Sequence, residues 1–239
     1  MIRILATVLL LAGPAIAQDV ELELVLLADA SGSIDSAEIL FQREGYARAI
    51  TDPRVVETIE NTAYGKIAVT YVEWAAAGAE DVVVPWMIID GAETATAFAE
   101  ALIPPPRRAF GRNSIGSALL TGVRLIDENG IEGWRKVIDF SGDSANNWNG
   151  PTIAEGRAAA LEAGIVINGL AILCRTCSGP PRGGDLAGRY EERIIGGPGA
   201  FVVPAEGPDD FEDAVRRKLI LEIGGHAPGS RFAETQLPK

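Results

Sequence analysis

Apolar and polar positions along the chain follow two periods that take turns. Residues 21–28 (ELELVLLA) begin by alternating and end as an unbroken apolar run, the pattern of a strand buried on both faces. Asp35 and Glu38 then form a capping-box pattern, and helical spacing continues until Asp52-Pro53 stops it. Residues 67–74 and 82–86 read as strands, and Pro85, which has no N–H for a ladder, places the second at an edge. Residues 94–102 and 114–126 read as helices, 136–140 as a strand and 153–163 as a helix. A buried strand at 165–173, a short one at 201–203 and a closing helix at 209–222 complete the series.

Strands and helices taking turns in this way predict an α/β fold, a doubly wound, mostly parallel sheet with helices on both faces. Ligands of such sheets bind beyond the carboxyl ends of the strands, where loops converge. Chemistry is therefore expected just after Ala28, Leu102 and Phe140.

The first residues change the picture of where the chain works. Arg3, an apolar run over residues 4–11, the breaker Gly13-Pro14 and the small-residue box Ala15-Ile16-Ala17 read as a secretory signal peptide, residues 1–17. The run is too short for a bilayer core of about 30 Å, so no membrane span is expected after cleavage, and the mature chain is expected in the periplasm or secreted. About 220 residues remain, enough for one full core, at 18–225, with a tail at 226–239. The Pro-rich patch 104–108 reads as a loop between helices.

A formal charge of -12 makes nucleic acid an unlikely partner, because such a surface repels phosphate backbones. The basic run Arg216-Arg217-Lys218 lies in a helical pattern and reads as a solvated face. His226 is the only histidine and sits in the tail, which argues against a histidine-based nucleophilic triad or a His-rich zinc centre. Cys174 and Cys177 follow a buried strand, but Ser178-Gly179-Pro180-Pro181 blocks the helix that a redox thiolate needs, so a structural disulfide is expected in an oxidising compartment. Gly196-Gly197-Pro198-Gly199 precedes a strand and reads as a turn, not a phosphate cradle.

Just after the first buried strand stands Asp29-Ala30-Ser31-Gly32-Ser33. Its carboxylate and two hydroxyls are hard oxygen donors suited to Mg²⁺, although a Ser/Gly-rich turn with a capping Asp has the same letters. Asp143, after the strand at 136–140, is placed on the same sheet edge, and Asn113-Ser114 opens a helix that begins there. Three loops thus converge with oxygen ligands. An acid/base reading of Asp29 and Asp143 as a glycosidase pair is the alternative, but beside two serines they look more like the outer shell of a metal.

This constellation resembles the metal-ion-dependent adhesion site of the von Willebrand factor A family. The resemblance implies a six-stranded sheet with one antiparallel edge strand, with Ser31 and Ser33 on the metal and Asp29 and Asp143 acting mainly through water. Residues 67–74, 138–143, 167–170 and 195–204 further resemble a bacterial branch of that family, domain-of-unknown-function family 1194. Where the wider family places a metal-ligating Thr, this chain has Asn113, with Ser114 next, so ligation by the Asn carbonyl, through water, or by Ser114 are all open.

A binding module that holds Mg²⁺ or Mn²⁺ and takes a carboxylate from a protein partner is the reading that follows, with Asn146, Asn147 and Trp148 as its rim, the Trp148 indole being either a hot spot or packed inward. The alternative is a metal-dependent hydrolase at the same site, which lacks a general base if Asp29 and Asp143 serve the metal.

Overall fold

The apolar runs become the inner strands of one sheet. The computed structural model describes residues 18–173 and 184–225; the expected leader, the tail with His226 and the Cys174–Cys177 pair lie outside the described residues. In chain order the elements are β1 (Gln18–Asp29), α1 (Ser36–Ile50), α2 (Pro53–Glu60), β2 (Ile67–Trp74), β3 (Asp81–Ile89), α3 (Ala92–Leu102) and α4 (Ile115–Asp127). They continue with β4 (Ile131–Gly142), α5 (Ile153–Glu162), β5 (Val166–Ile172), α6 (Leu186–Arg193), β6 (Val202–Ala205) and α7 (Pro208–Gly224).

The six strands lie in the order β3-β2-β1-β4-β5-β6. All neighbours are parallel except β2 and β3. The order reverses between β1 and β4, which opens a crevice at their carboxyl ends. Leu22, Leu24 and Leu26 of β1 face a core shared with α1, α2, α3 and α7, while Val25 and Leu27 face one shared with α4, α5 and α6. Both outermost strands carry an exposed proline, Pro85 in β3 and Pro204 in β6, and the β2–β3 register shifts next to Pro85.

Two helices escape the sequence reading. Asp52-Pro53 does end α1, but it also starts α2: the Asp52 carboxylate accepts from the Arg54 N–H at 2.9 Å, and Pro53 stands at the first helical position. α6 buries only Leu186 and Tyr190, too few apolar contacts to show a period of 3.6. β1 and β4 also run further back than their apolar cores, pairing Gln18 with Ile131.

The solvated-face reading of Arg216-Arg217-Lys218 fails at Lys218, which is fully buried. Its ammonium lies 2.7 Å from the Asp139 carboxylate on β4 and also binds Glu222, one turn on in α7. Asn168 of β5 donates to Glu222 at 2.9 Å, and the Phe201 ring lies 5.9 Å from the ammonium. A buried cation here is tolerated because two carboxylates meet it. Burial, partly offset by Lys218, pushes Glu222 up to about 7, and burial likewise raises Asp139.

α4 and α5 touch through glycines. A Cβ on Gly116 would stand 2.2 Å from the Pro151 carbonyl and 2.3 Å from that of Thr152, both backbone atoms that cannot swing away. Gly116→Ala should therefore cost at the upper end of the about 1–3 kcal/mol typical of overpacking. Chemical denaturation of the parent and variant measures the difference. An unchanged midpoint would show that α5 yields freely.

Candidate metal-binding edge

β1 ends in a carboxylate held under the loop that follows it. Asp29 is fully buried, and its Oδ1 accepts from the Ser31 N–H at 2.8 Å. The Asp143 backbone N–H, at the end of β4, donates to the same carboxylate. Oδ2 has no hydrogen-bond partner. Burial first, and then the nearby Asp143 charge, push Asp29 up to about 7 despite these hydrogen bonds and one from the Ser31 hydroxyl.

Aromatic side chains gather around Gly142 next to this carboxylate. Trp74 stacks on Phe140 at 4.9 Å, Phe140 meets Tyr190 at 5.5 Å, and the Tyr190 hydroxyl donates to the Gly142 carbonyl at 2.8 Å. Trp74 Nε1 donates to the Ser141 carbonyl at 3.2 Å, tying β2 to β4 below the edge. Gly142 leaves the space that this needs, because a Cβ there would lie 2.9 Å from Asp29 Oδ2. Burial, with Asp29 and Asp143 adding to it, raises the Tyr190 hydroxyl well above its ordinary value, so it stays a neutral donor.

The turn after β1 brings its two hydroxyls together. Ser31 Oγ and Ser33 Oγ are 3.3 Å apart, Ser31 buried and Ser33 half-buried. Neighbouring oxygens around an octahedral Mg²⁺, each at about 2.1 Å, are about 3 Å apart, so the pair has close to the spacing that two ligands of one cation need. The Gly32 N–H reaches the Gly111 carbonyl at 2.8 Å, joining this turn to the loop before α4.

That loop also supplies a clamp. Arg107 donates to the backbone carbonyls of Ile34 at 2.8 Å, Ser31 at 3.1 Å and Ala109 at 3.0 Å, and to that of Ala30 as well. Arg43 reaches back from α1 to the Pro105 carbonyl while pairing with buried Glu73 at 2.7 Å, and Gln42 donates to the Asp29 carbonyl at 3.0 Å. The chain that carries the hydroxyls is thus held from beneath by Arg107 and Gln42, while Gly32 stays exposed.

Asn113 and Ser114 lead into α4 and differ in availability. Asn113 is nearly buried and its Nδ2 has no partner; a half-turn of the amide presents the oxygen instead. The Ser114 hydroxyl is engaged, donating to the Asn149 carbonyl at 2.8 Å. On the rim, Asn146 and Trp148 are exposed, so the indole does not pack inward. Asn147 instead serves the fold, accepting from the Gly116 N–H at 3.1 Å and donating to Asn149 and Pro151 carbonyls.

Among the described residues no group of three or more His, Cys, Asp or Glu side chains gathers as a metal cluster, which leaves two carboxylates beside neutral oxygens at this edge. The donor set fits a hard cation: an unpartnered buried carboxylate oxygen, two adjacent hydroxyls and an amide. The sequence reading missed Arg107 and Tyr190. An arginine following three prolines in an acidic chain is the one signal for the first, and the unread helix α6 hides the second.

Solved structures share this architecture. The chain is similar to a von Willebrand factor type A protein from Catenulispora acidiphila, with TM-score 0.57 and 17% identity over 86% of this chain and 43% of that one. It is similar to the vWF domain of the type V pili tip protein Mfa5 from Porphyromonas gingivalis, with TM-score 0.56 and 10% identity over 90% of this chain and 99% of the other. It also resembles the pilus adhesin SpaC from Lactobacillus rhamnosus GG, with TM-score 0.57 and 14% identity, spanning 87% of this chain but only 31% of the adhesin. The fold is that of a von Willebrand factor A domain. Within that class, residues 19–227 match the family described as protein of unknown function, DUF1194, and the chain belongs to it. No curated relative matches the sequence. Among the described residues no helix is long and apolar enough to cross a membrane.

Proposed function

We propose that this chain is an exported adhesion or protein-binding module that holds a divalent hard cation, Mg²⁺ or Mn²⁺, at the carboxyl edge of β1 and β4. The observation that carries the reading is the Ser31–Ser33 hydroxyl pair, 3.3 Å apart, following a buried carboxylate with one unpartnered oxygen. Ser31, Ser33 and Asn113 supply the neutral oxygens, and Asp29 and Asp143 balance charge, mainly through water. When bound, the cation supplies an electropositive position for a carboxylate oxygen of a protein partner, and neutral ligands leave it most of its charge. The likeness to a pili tip protein and a pilus adhesin, and the leader pattern at 1–17, support a place in the periplasm or outside the cell.

Titration calorimetry with Mg²⁺ and Mn²⁺ tests the cation. The parent should bind, Asp29→Ala with Ser31→Ala should abolish binding while circular dichroism stays unchanged, Asn113→Ala should weaken it and Asn113→Thr should keep or tighten it. Unchanged affinity in the double variant would leave the module without this mechanism. Turnover of ester, phosphate or peptide substrates would instead favour a hydrolase.

A further inference from the structure

Beside the candidate cation site stands a rim with its own chemistry. The chain has 33 acidic residues, yet residues 103–113 contain none and carry three arginines. Arg107 is spent on the backbone carbonyls of the β1 loop, and Arg108 leans towards Asp81 at 3.9 Å. Among the described residues Arg112 has no carboxylate within ion-pair distance. Its guanidinium instead lies over the Trp148 ring, 4.9 Å from the centroid.

Trp148 is 62% exposed and Phe110 57% exposed, both far from buried for such large apolar side chains. Water-exposed aromatic rings paired with arginine are the composition of binding hot spots. The rim is also fixed in place: the Trp148 N–H donates to the Asn113 carbonyl at 2.8 Å, and Gly111, between Phe110 and Arg112, accepts from Gly32 at 2.8 Å. A guanidinium held over an indole by its carbon still has N–H groups to offer, and these match a carboxylate in a two-pronged hydrogen bond.

From this juxtaposition we infer that Phe110, Arg112 and Trp148 form a second recognition element that reads a carboxylate next to the one taken by the cation. The partner is then a protein segment with two acidic residues and an apolar side chain that packs on the exposed rings. This deepens the cation-dependent reading and rests on it for the first carboxylate only. The positive rim in an otherwise acidic chain favours an acidic segment over a basic one.

A displayed library of random peptides, selected on the full chain in Mg²⁺ and again in chelator, tests the rim. In Mg²⁺ the parent should enrich peptides with two acidic residues and an apolar residue. A synthetic peptide of that composition should bind Arg112→Gln about tenfold more weakly, the size expected for one charge-assisted contact, while Arg112→Lys keeps part of the affinity. Selection on Arg112→Gln should return peptides with one acidic residue, still lost in chelator. Enrichment of single-acid peptides by the parent, equal affinity for Arg112→Gln and parent, or no enrichment at all would overturn the inference. Binding that persists in chelator but still requires Arg112 would support the rim and defeat the cation reading, so the two fail separately.

Discussion

Lys218→Met is expected to lower the unfolding free energy by about 3–5 kcal/mol near pH 8, because it strands two buried carboxylates without their cation. Asp139 and Glu222 lie on the Lys218 ammonium and are buried with it. Near pH 5 the loss should be smaller. Glu222 is raised in the folded state from an ordinary 4.5 to about 7, so it takes up a proton on folding. Its contribution to stability is full below its unfolded value and fades as pH rises through about 7. Removing the lysine makes protonation of both carboxylates more favourable still, which steepens the fall towards alkaline pH. Glu222→Gln, which cannot ionise, should flatten the slope over the same range. Urea unfolding of the three proteins at both pH values provides the measurement. Equal destabilisation by Lys218→Met at pH 5 and pH 8 would mean that the carboxylates do not titrate as a group with it.

Asp29→Asn should act in opposite directions on stability and on cation response. The Asp29 carboxylate is fully buried, feels Asp143 and has one oxygen without a partner. An amide removes that charge and still accepts from Ser31. In chelator near pH 8 the variant should therefore be more stable than the parent, because the buried charge and its repulsion by Asp143 are gone. Added Mg²⁺ should raise the melting temperature of the parent through linkage and leave the variant unmoved. Thermal melts with and without Mg²⁺ decide it. A variant less stable than the parent in chelator would show that the carboxylate is well solvated by the protein and is not held ready for a cation.

The parts of the fold that sequence makes legible are those where burial is two-sided. Residues 21–28 and 136–140 declare themselves because parallel strands covered by helices need unbroken apolar runs. α6 does not, since only Leu186 and Tyr190 reach the core, and α2 hides behind a proline that is equally good at ending one helix and starting the next. Lys218 misleads for a related reason. Its neighbours Arg216 and Arg217 do reach solvent, and nothing local says that the third basic residue turns inward to Asp139, a carboxylate 79 positions earlier in the chain.

The candidate site is legible to the same degree. Asp29 ends β1 with Ser31 and Ser33 in the turn after it, and Asp143 directly follows β4 next to β1, so parallel topology alone brings them to one edge. Whether the Trp148 indole faces outward or packs inward is open in the sequence, and the structure has it exposed. The clamp by Arg107 and the prop by Tyr190 depend on which backbone carbonyl a long side chain finds in three dimensions, and no spacing rule encodes that.

The two prolines at the flanks of the sheet bear on how such a module can be crowded without harm. A sheet grows sideways when a neighbouring chain pairs with the free N–H and carbonyl groups of an outermost strand, the route to fibres and precipitates. Pro85 and Pro204 each lack the N–H that such pairing uses, β6 is only four residues long, and the register shift near Pro85 distorts the opposite flank. Copies brought close together are thereby discouraged from zipping edge to edge at either flank of the sheet.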